Sequence, residues 1–145
     1  MMSTDQTAEM EAPTPVELIR CGDLTDRAPY AYAAVADGAT RLVFTAGACP
    51  LDQAGETVAI GDVAAQAEQV MANLMVALQA AGASLTDVVK TTVYVATQRQ
   101  EDLVAAWEVV SRHFGDHDAP STLLGVTVLG YPDQLVEVEA IAALR

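Results

Sequence analysis

Glu137 and Glu139 stand two residues apart in "VEVEAIA" (Val136–Ala142). At strand spacing both carboxylates face the same side of the pleat. A carboxylate fixed on a strand can orient or deprotonate a water. A solvated strand face gives the same pattern, so spacing alone does not separate the two roles. Upstream, "PSTLLGVTVL" (Pro120–Leu129) opens on Ser121 and Thr122. These are neutral hydroxyls, able to hydrogen-bond but not to supply charge. His113 and His117, with Asp116 and Asp118, form "HFGDHD". The spacing would suit two metal ligands. The stretch straddles a helix end at Gly115, however, and no third ligand cluster is evident, so it reads as a solvated loop and no metal is expected. Neither histidine lies in a serine or cysteine nucleophile motif, and no Gly-rich phosphate loop is present. Cys21 and Cys49 are not spaced as a metal pair. Two free thiols suit a cytosolic setting better than a disulfide.

The elements that would carry these groups follow from periodicity. "VELIRC" (Val16–Cys21), "YAYAAVAD" (Tyr30–Asp37) and "RLVFTAGA" (Arg41–Ala48) read as three strands. Asp62 caps a helix in which Val63, Ala67, Val70, Met71, Leu74, Ala77 and Leu78 recur at helical spacing, with Gly82 as its stop. "DVVKTTVYVA" alternates as a strand, with Val89, Thr91, Val93 and Val95 on one face and Lys90, Thr92 and Tyr94 on the other. "QEDLVAAWEVVSRHF" is a second helix, its apolar stripe made of Leu103, Trp107, Val110 and Phe114. Strands over Ser121–Leu129 and Leu135–Ala143 complete the order β-β-β-α-β-α-β-β. Two helices cover only one face of such a sheet. The last strands carry apolar residues on both faces, so the uncovered face calls for a second copy of the chain.

The chain has 145 residues, the size of one domain. Residues 1–15 have neither an apolar run nor a basic cluster, and read as a disordered tail ahead of a single domain over 16–145. No segment approaches a membrane span, and a soluble, cytoplasmic protein is expected. The net charge of −13 argues against nucleic-acid and anionic-membrane partners.

"APYAYA", "VFTAG", "DVAAQAEQVMANL", "AAGASLTDVVKTTVYV" and "VEVEAIA" resemble successive signatures of the Rid family, also called YjgF/YER057c/UK114, from about Ala28 to Leu144. The resemblance implies an α+β, chorismate-mutase-like fold: a mixed six-stranded sheet with two helices on one face, assembled as a homotrimer. It implies small-molecule clefts between adjacent subunits, no cofactor, and hydrolysis of reactive imines and enamines such as 2-aminoacrylate. Some members carry an endoribonuclease label, which the acidity here disfavours. By this resemblance Glu137 is the catalytic carboxylate, and Tyr30, Ala46, Gly47, Trp107 and Thr122 bind substrate. The pattern departs from the family's at three of these positions. Thr122 in "PSTL" stands where the deaminases have the Arg of "PARS". Ala46 in "TAGA" stands where they have the Ser of "TSGQ". Trp107 takes a frequently polar position. The charge clamp for a substrate carboxylate is lost and the pocket becomes more apolar. The expected activity is therefore on an imine, enamine or related carbonyl compound, with small carboxylate-bearing imines poorly served. The alternative is a non-catalytic ligand-binding or protein-interaction trimer. Bland roles remain open beside these: half-buried packing for Tyr30, core packing for Trp107 and strand-end geometry for Gly47.

Overall fold

Alternating and helical apolar spacing yields the expected elements in a computed structural model that describes residues 14–145. They are β1 (Val16–Ile19), β2 (Ala33–Ala36), β3 (Arg41–Phe44), α1 (Val63–Ala80), β4 (Val88–Ala96), α2 (Gln100–Phe114), β5 (Ser121–Val126) and β6 (Val136–Leu144). The expected tail lies outside the described residues up to position 13. Of its last two residues, Pro15 is buried, and its carbonyl accepts from Asp37 N at 3.2 Å.

The α+β architecture has two helices and six strands, as the sequence implies. Four strands form a mixed ladder in the order β3-β6-β4-β5, and β1 and β2 form an antiparallel pair that touches β4. β4 and β5 are parallel, so the chain must cross over between them, and α2 makes that crossover. β6 runs antiparallel to both of its neighbours.

Helix α1 starts where Asp62 accepts from Ala65 N at 3.0 Å. It stops before Gly82, whose φ of +82° suits a residue without Cβ. Its buried stripe is Gln66, Ala67, Val70, Met71, Leu74 and Leu78. Ala77 is exposed, and a glutamine joins the stripe instead. From α2, Ala106, Val109, Val110 and Phe114 are buried. Both helices cover the sheet face that carries Val93 and Val95 of β4 and Val136 and Val138 of β6, forming one core.

The alternation in β4 departs from expectation at one end. Thr91, Val93 and Val95 face the helices, but Val88 is buried in place of Val89. The register against β6 shifts between Val88 and Lys90. A bulge at Val89 adds a residue without a partner and resets which side faces inward.

Among the described residues no helix lies over the other sheet face. Register places Lys90, Thr92 and Tyr94 of β4 there, beside Thr122 and Leu124 of β5. Glu137, Glu139 and Ile141 of β6 share that face, with Leu42 and Phe44 of β3 at its far side. Phe44 is 70% exposed and Leu42 59%. Among the described residues no helix is long and apolar enough to cross a membrane.

Candidate functional site

Glu137 sits on the open face of β6, opposite Tyr94. Beyond β3 the chain keeps running beside β6, with Ala48 bridged to Val138. Ala48 lies four residues on from Phe44 but only three back along β6 from Phe44's partner Ile141. The extra residue bends this segment and turns Gly47 onto the Glu137 side chain. A Cβ at position 47 would lie 2.6 Å from Glu137 Cδ and 2.7 Å from Oε2. Only glycine lets the carboxylate rest on the backbone there.

Two donors hold Glu137 Oε1. Cys49 Sγ donates at 3.2 Å and Gln134 Nε2 at 3.3 Å. Burial, and next the hydrogen bond and charge of Glu137, push the Cys49 thiol up to about 11. Cys49 therefore keeps its proton at neutral pH and acts as a donor, not a nucleophile. From α1, Asn73 Nδ2 donates to the carbonyls of Cys49 at 2.8 Å and Leu51 at 2.9 Å, fixing the Cys49 segment to the helix. Gln66, fully buried on α1, receives Leu135 N on Oε1 at 2.7 Å and donates through Nε2 to Asp133 O at 2.9 Å and Ala59 O at 3.4 Å. The segments on either side of Glu137 are thus anchored to the same helix.

Glu139 is engaged differently. Tyr94 Oη donates to its Oε1 at 2.7 Å, and this hydrogen bond is the chief cause of a raised Tyr94 phenol pKa.

The second group lies along the edge strand β5. Pro29, Tyr30, Trp107, Ser121, Thr122 and Leu123 line a cleft of about 470 Å³. The Tyr30 and Trp107 rings meet edge to face, with centroids 6.2 Å apart at 86°. Ala31 N donates to Asp118 O at 2.8 Å, which ties the Tyr30 segment to the α2–β5 connection. Thr91 Oγ1 bonds Ser121 Oγ at 2.7 Å, and Lys90 Nζ donates to Thr122 Oγ1 at 2.8 Å.

One protomer therefore brings Tyr30, Trp107 and Thr122 together, and separately Glu137 and Gly47. Ala46 is exposed beside Gly47. Glu137 and Gly47 do not line the Tyr30 cleft. The two groups are linked across β4: Thr92 lies between Thr122 and Glu139, and Tyr94 between Leu124 and Glu137. Sequence reasoning missed Cys49, Gln134 and Asn73 as supports of the carboxylate. Cys49 and Glu137 are 88 positions apart, and neither glutamine nor asparagine forms a motif there. In "HFGDHD", His113 Nε2 meets Glu68 Oε2 at 2.7 Å and His117 Nε2 meets Val88 O at 2.7 Å, so the two rings have separate partners.

The family model described as Endoribonuclease L-PSP matches residues 23–144. The chain belongs to this family, the Rid or YjgF/YER057c/UK114 family. A RutC family protein of Pyrococcus horikoshii is 36% identical over 114 residues, covering 79% of this chain and 86% of its own. A 2-iminobutanoate/2-iminopropanoate deaminase of Salmonella typhimurium is 34% identical over 125 residues, covering 83% and 95%. The crystal structure of a Rid family protein of unknown function from Yersinia pestis superposes with a TM-score of 0.84 at 30% identity, covering 90% of this chain and all of that one. Rid family membership accounts for the order of elements described above.

Proposed function

We propose that this Rid protein hydrolyses an imine, an enamine or a related small carbonyl compound in a cleft between subunits of a homotrimer. The observation that carries this reading is the carriage of Glu137: one oxygen held by Cys49 and Gln134, the other resting on Gly47. A carboxylate so fixed is positioned to take a proton from water as it adds to a C=N bond. The proton then passes to the nitrogen of the carbinolamine, C–N cleavage releases ammonia, and the carbonyl compound remains. The name of the Salmonella relative, an iminobutanoate/iminopropanoate deaminase, supports the same reaction class.

The open sheet face, with Phe44 and Leu42 exposed, supports self-association that would bring the two groups of site residues into shared clefts. Thr122 is neutral, and the walls at Trp107, Pro29 and Leu123 are apolar. These features favour a substrate other than 2-aminoacrylate. The family's endoribonuclease label fits poorly with a net charge of −13.

A second reading, a ligand-binding trimer without turnover, draws on the absence of a guanidinium at position 122 and on the two donors already bound to Glu137 Oε1. Ammonia release from a panel of freshly generated imines separates the two. Glu137→Gln keeps the size but cannot accept a proton at neutral pH, and should lower turnover about 10²–10⁴-fold with the trimer intact. Glu139→Gln, on the same face but engaged by Tyr94, should cost far less. Equal losses in the two variants would assign the pair to a structural face. No turnover on any imine, with ligand binding retained, would favour the second reading.

A further inference from the structure

We propose that the Tyr30 cleft continues past Trp107 into a second hollow, and that this hollow takes the linear apolar chain of a ligand whose carbonyl or imine end lies in the cleft. The proposal rests on the reading of the cleft as a small-molecule site, and it names the class of substituent that the ligand carries.

Helix α2 sets Trp107, Val110, Ser111 and Phe114 at helical spacing, so they share one face. The sequence marks Trp107, Val110 and Phe114 of this face as a core stripe. The same face also borders a hollow of about 260 Å³, completed by Ala119 and Asp118 of the α2–β5 connection, Thr91 of β4 and Pro29. Val110, Phe114 and Ala119 are buried there. Trp107 and Pro29 also line the cleft of about 470 Å³, so the two spaces meet at these residues. A second link joins their walls. Thr91 lines the hollow, Ser121 lines the cleft, and their hydroxyls bond each other at 2.7 Å.

The polar side chains of the hollow already have partners. Thr91 is bonded to Ser121, Ser111 Oγ donates to Glu108 O at 3.4 Å, and Asp118 is paired with Arg20. Among the described residues no buried side-chain nitrogen or oxygen lacks a partner. The hollow therefore offers a guest apolar wall and no unfilled hydrogen-bonding group. Such a space favours hydrocarbon over water. Its volume is that of roughly eight waters, room for a chain of about six carbons. A chain running along the indole reaches it from the cleft. A cyclic group of the same carbon count stays in the cleft, because it has no such reach.

Trp107 is the one tryptophan of the chain and borders both spaces, so its fluorescence reads occupancy of either. The intact chain is titrated with octan-2-one and with cyclohexyl methyl ketone. Both are neutral methyl ketones with the same number of carbons, so hydrophobicity is closely matched and reach differs. Octan-2-one should bind about tenfold more tightly, the gain from burying roughly two further methylenes. Ser111→Phe places a ring in the hollow and should remove the preference. Circular dichroism and native mass confirm that the variant is folded. If Ser111→Phe does not fold, Ser111→Leu takes its place and should shrink the preference. Equal affinities in the wild type, or the reverse order, would leave the cleft a small-molecule site and overturn the second hollow. A preference undiminished by Ser111→Phe, or in its place Ser111→Leu, would overturn it too. No fluorescence change with either ketone would overturn the reading of the cleft itself, and this inference with it.

Discussion

Gly47→Ala tests the carriage of Glu137 without needing a substrate. The backbone of Gly47 is not left-handed, so alanine brings no conformational penalty there. The new methyl group would sit 2.6 Å from Glu137 Cδ, well inside contact distance, so the carboxylate must swing away. Swinging away breaks its contact with Cys49, and the thiol reports the change. At about pH 8 a thiol with a pKa of about 11 is ~0.1% thiolate, against ~10% at the ordinary value of 9.0, a span of roughly a hundredfold. Burial is the larger cause of the shift and persists in the variant, so the Cys49 alkylation rate should rise about three- to tenfold, well short of the full span. Iodoacetamide labelling followed by peptide mass mapping separates Cys49 from the exposed Cys21. Gly130→Ala is the control: a Cβ there meets nothing within 4 Å, so the Cys49 rate should not change. An unchanged Cys49 rate in Gly47→Ala would refute the reasoning, because the glycine would not then be what holds the carboxylate against the thiol.

Light scattering should give three times the 15.2 kDa chain mass, and Phe44→Asp on the open face should reduce it to one; a monomeric wild type would remove the shared cleft. Stability should fall on the alkaline side. The folded pKa of Cys49 is raised, so the protonated thiol's contribution is complete below 9.0 and lost as pH rises through about 11. Thermal melts from about pH 8 to 11 should show a shallower decline for Cys49→Ala, while Tyr94, also raised, adds a limb of the same sign in both proteins. Gln66→Leu leaves three backbone groups of two loops without their partner and should cost roughly 2–4 kcal/mol in urea melts; a cost below about 0.5 kcal/mol would show those groups to be satisfied elsewhere.

Local chemistry made much of the fold legible. Asp62 and Gly82 bracket α1 because a cap and a left-handed stop are properties of single residues. Thr91, Val93 and Val95 alternate as read, but the bulge at Val89 carries no sequence punctuation, so Val89 does not share their face and Val88 is buried there instead. Two strands end sooner than read, at Ile19 before Cys21 and at Val126 before Leu129, where the ladder partners stop. At the site, the resemblance selected Glu137 and Gly47, and the structure puts them in contact. Cys49 and Lys90 reach their partners by long-range pairing, which no spacing along one strand reveals, and Gln134, only three positions from Glu137, belongs to no motif that would mark it.

Gln66 has one further consequence. Ala59 and Asp133 both hold positive φ, 50° and 60°, without being glycine. Each such residue costs on the order of 1 kcal/mol unless its surroundings enforce it. Both present their carbonyls to the single amide nitrogen of Gln66. If that amide lets go, both residues relax together. The loop leading into α1 and the turn leading into β6 therefore form one cooperative unit, although more than seventy positions separate Ala59 from Asp133. Their amide protons should exchange with solvent through a shared opening, and the Glu137 end of the site would breathe as one piece.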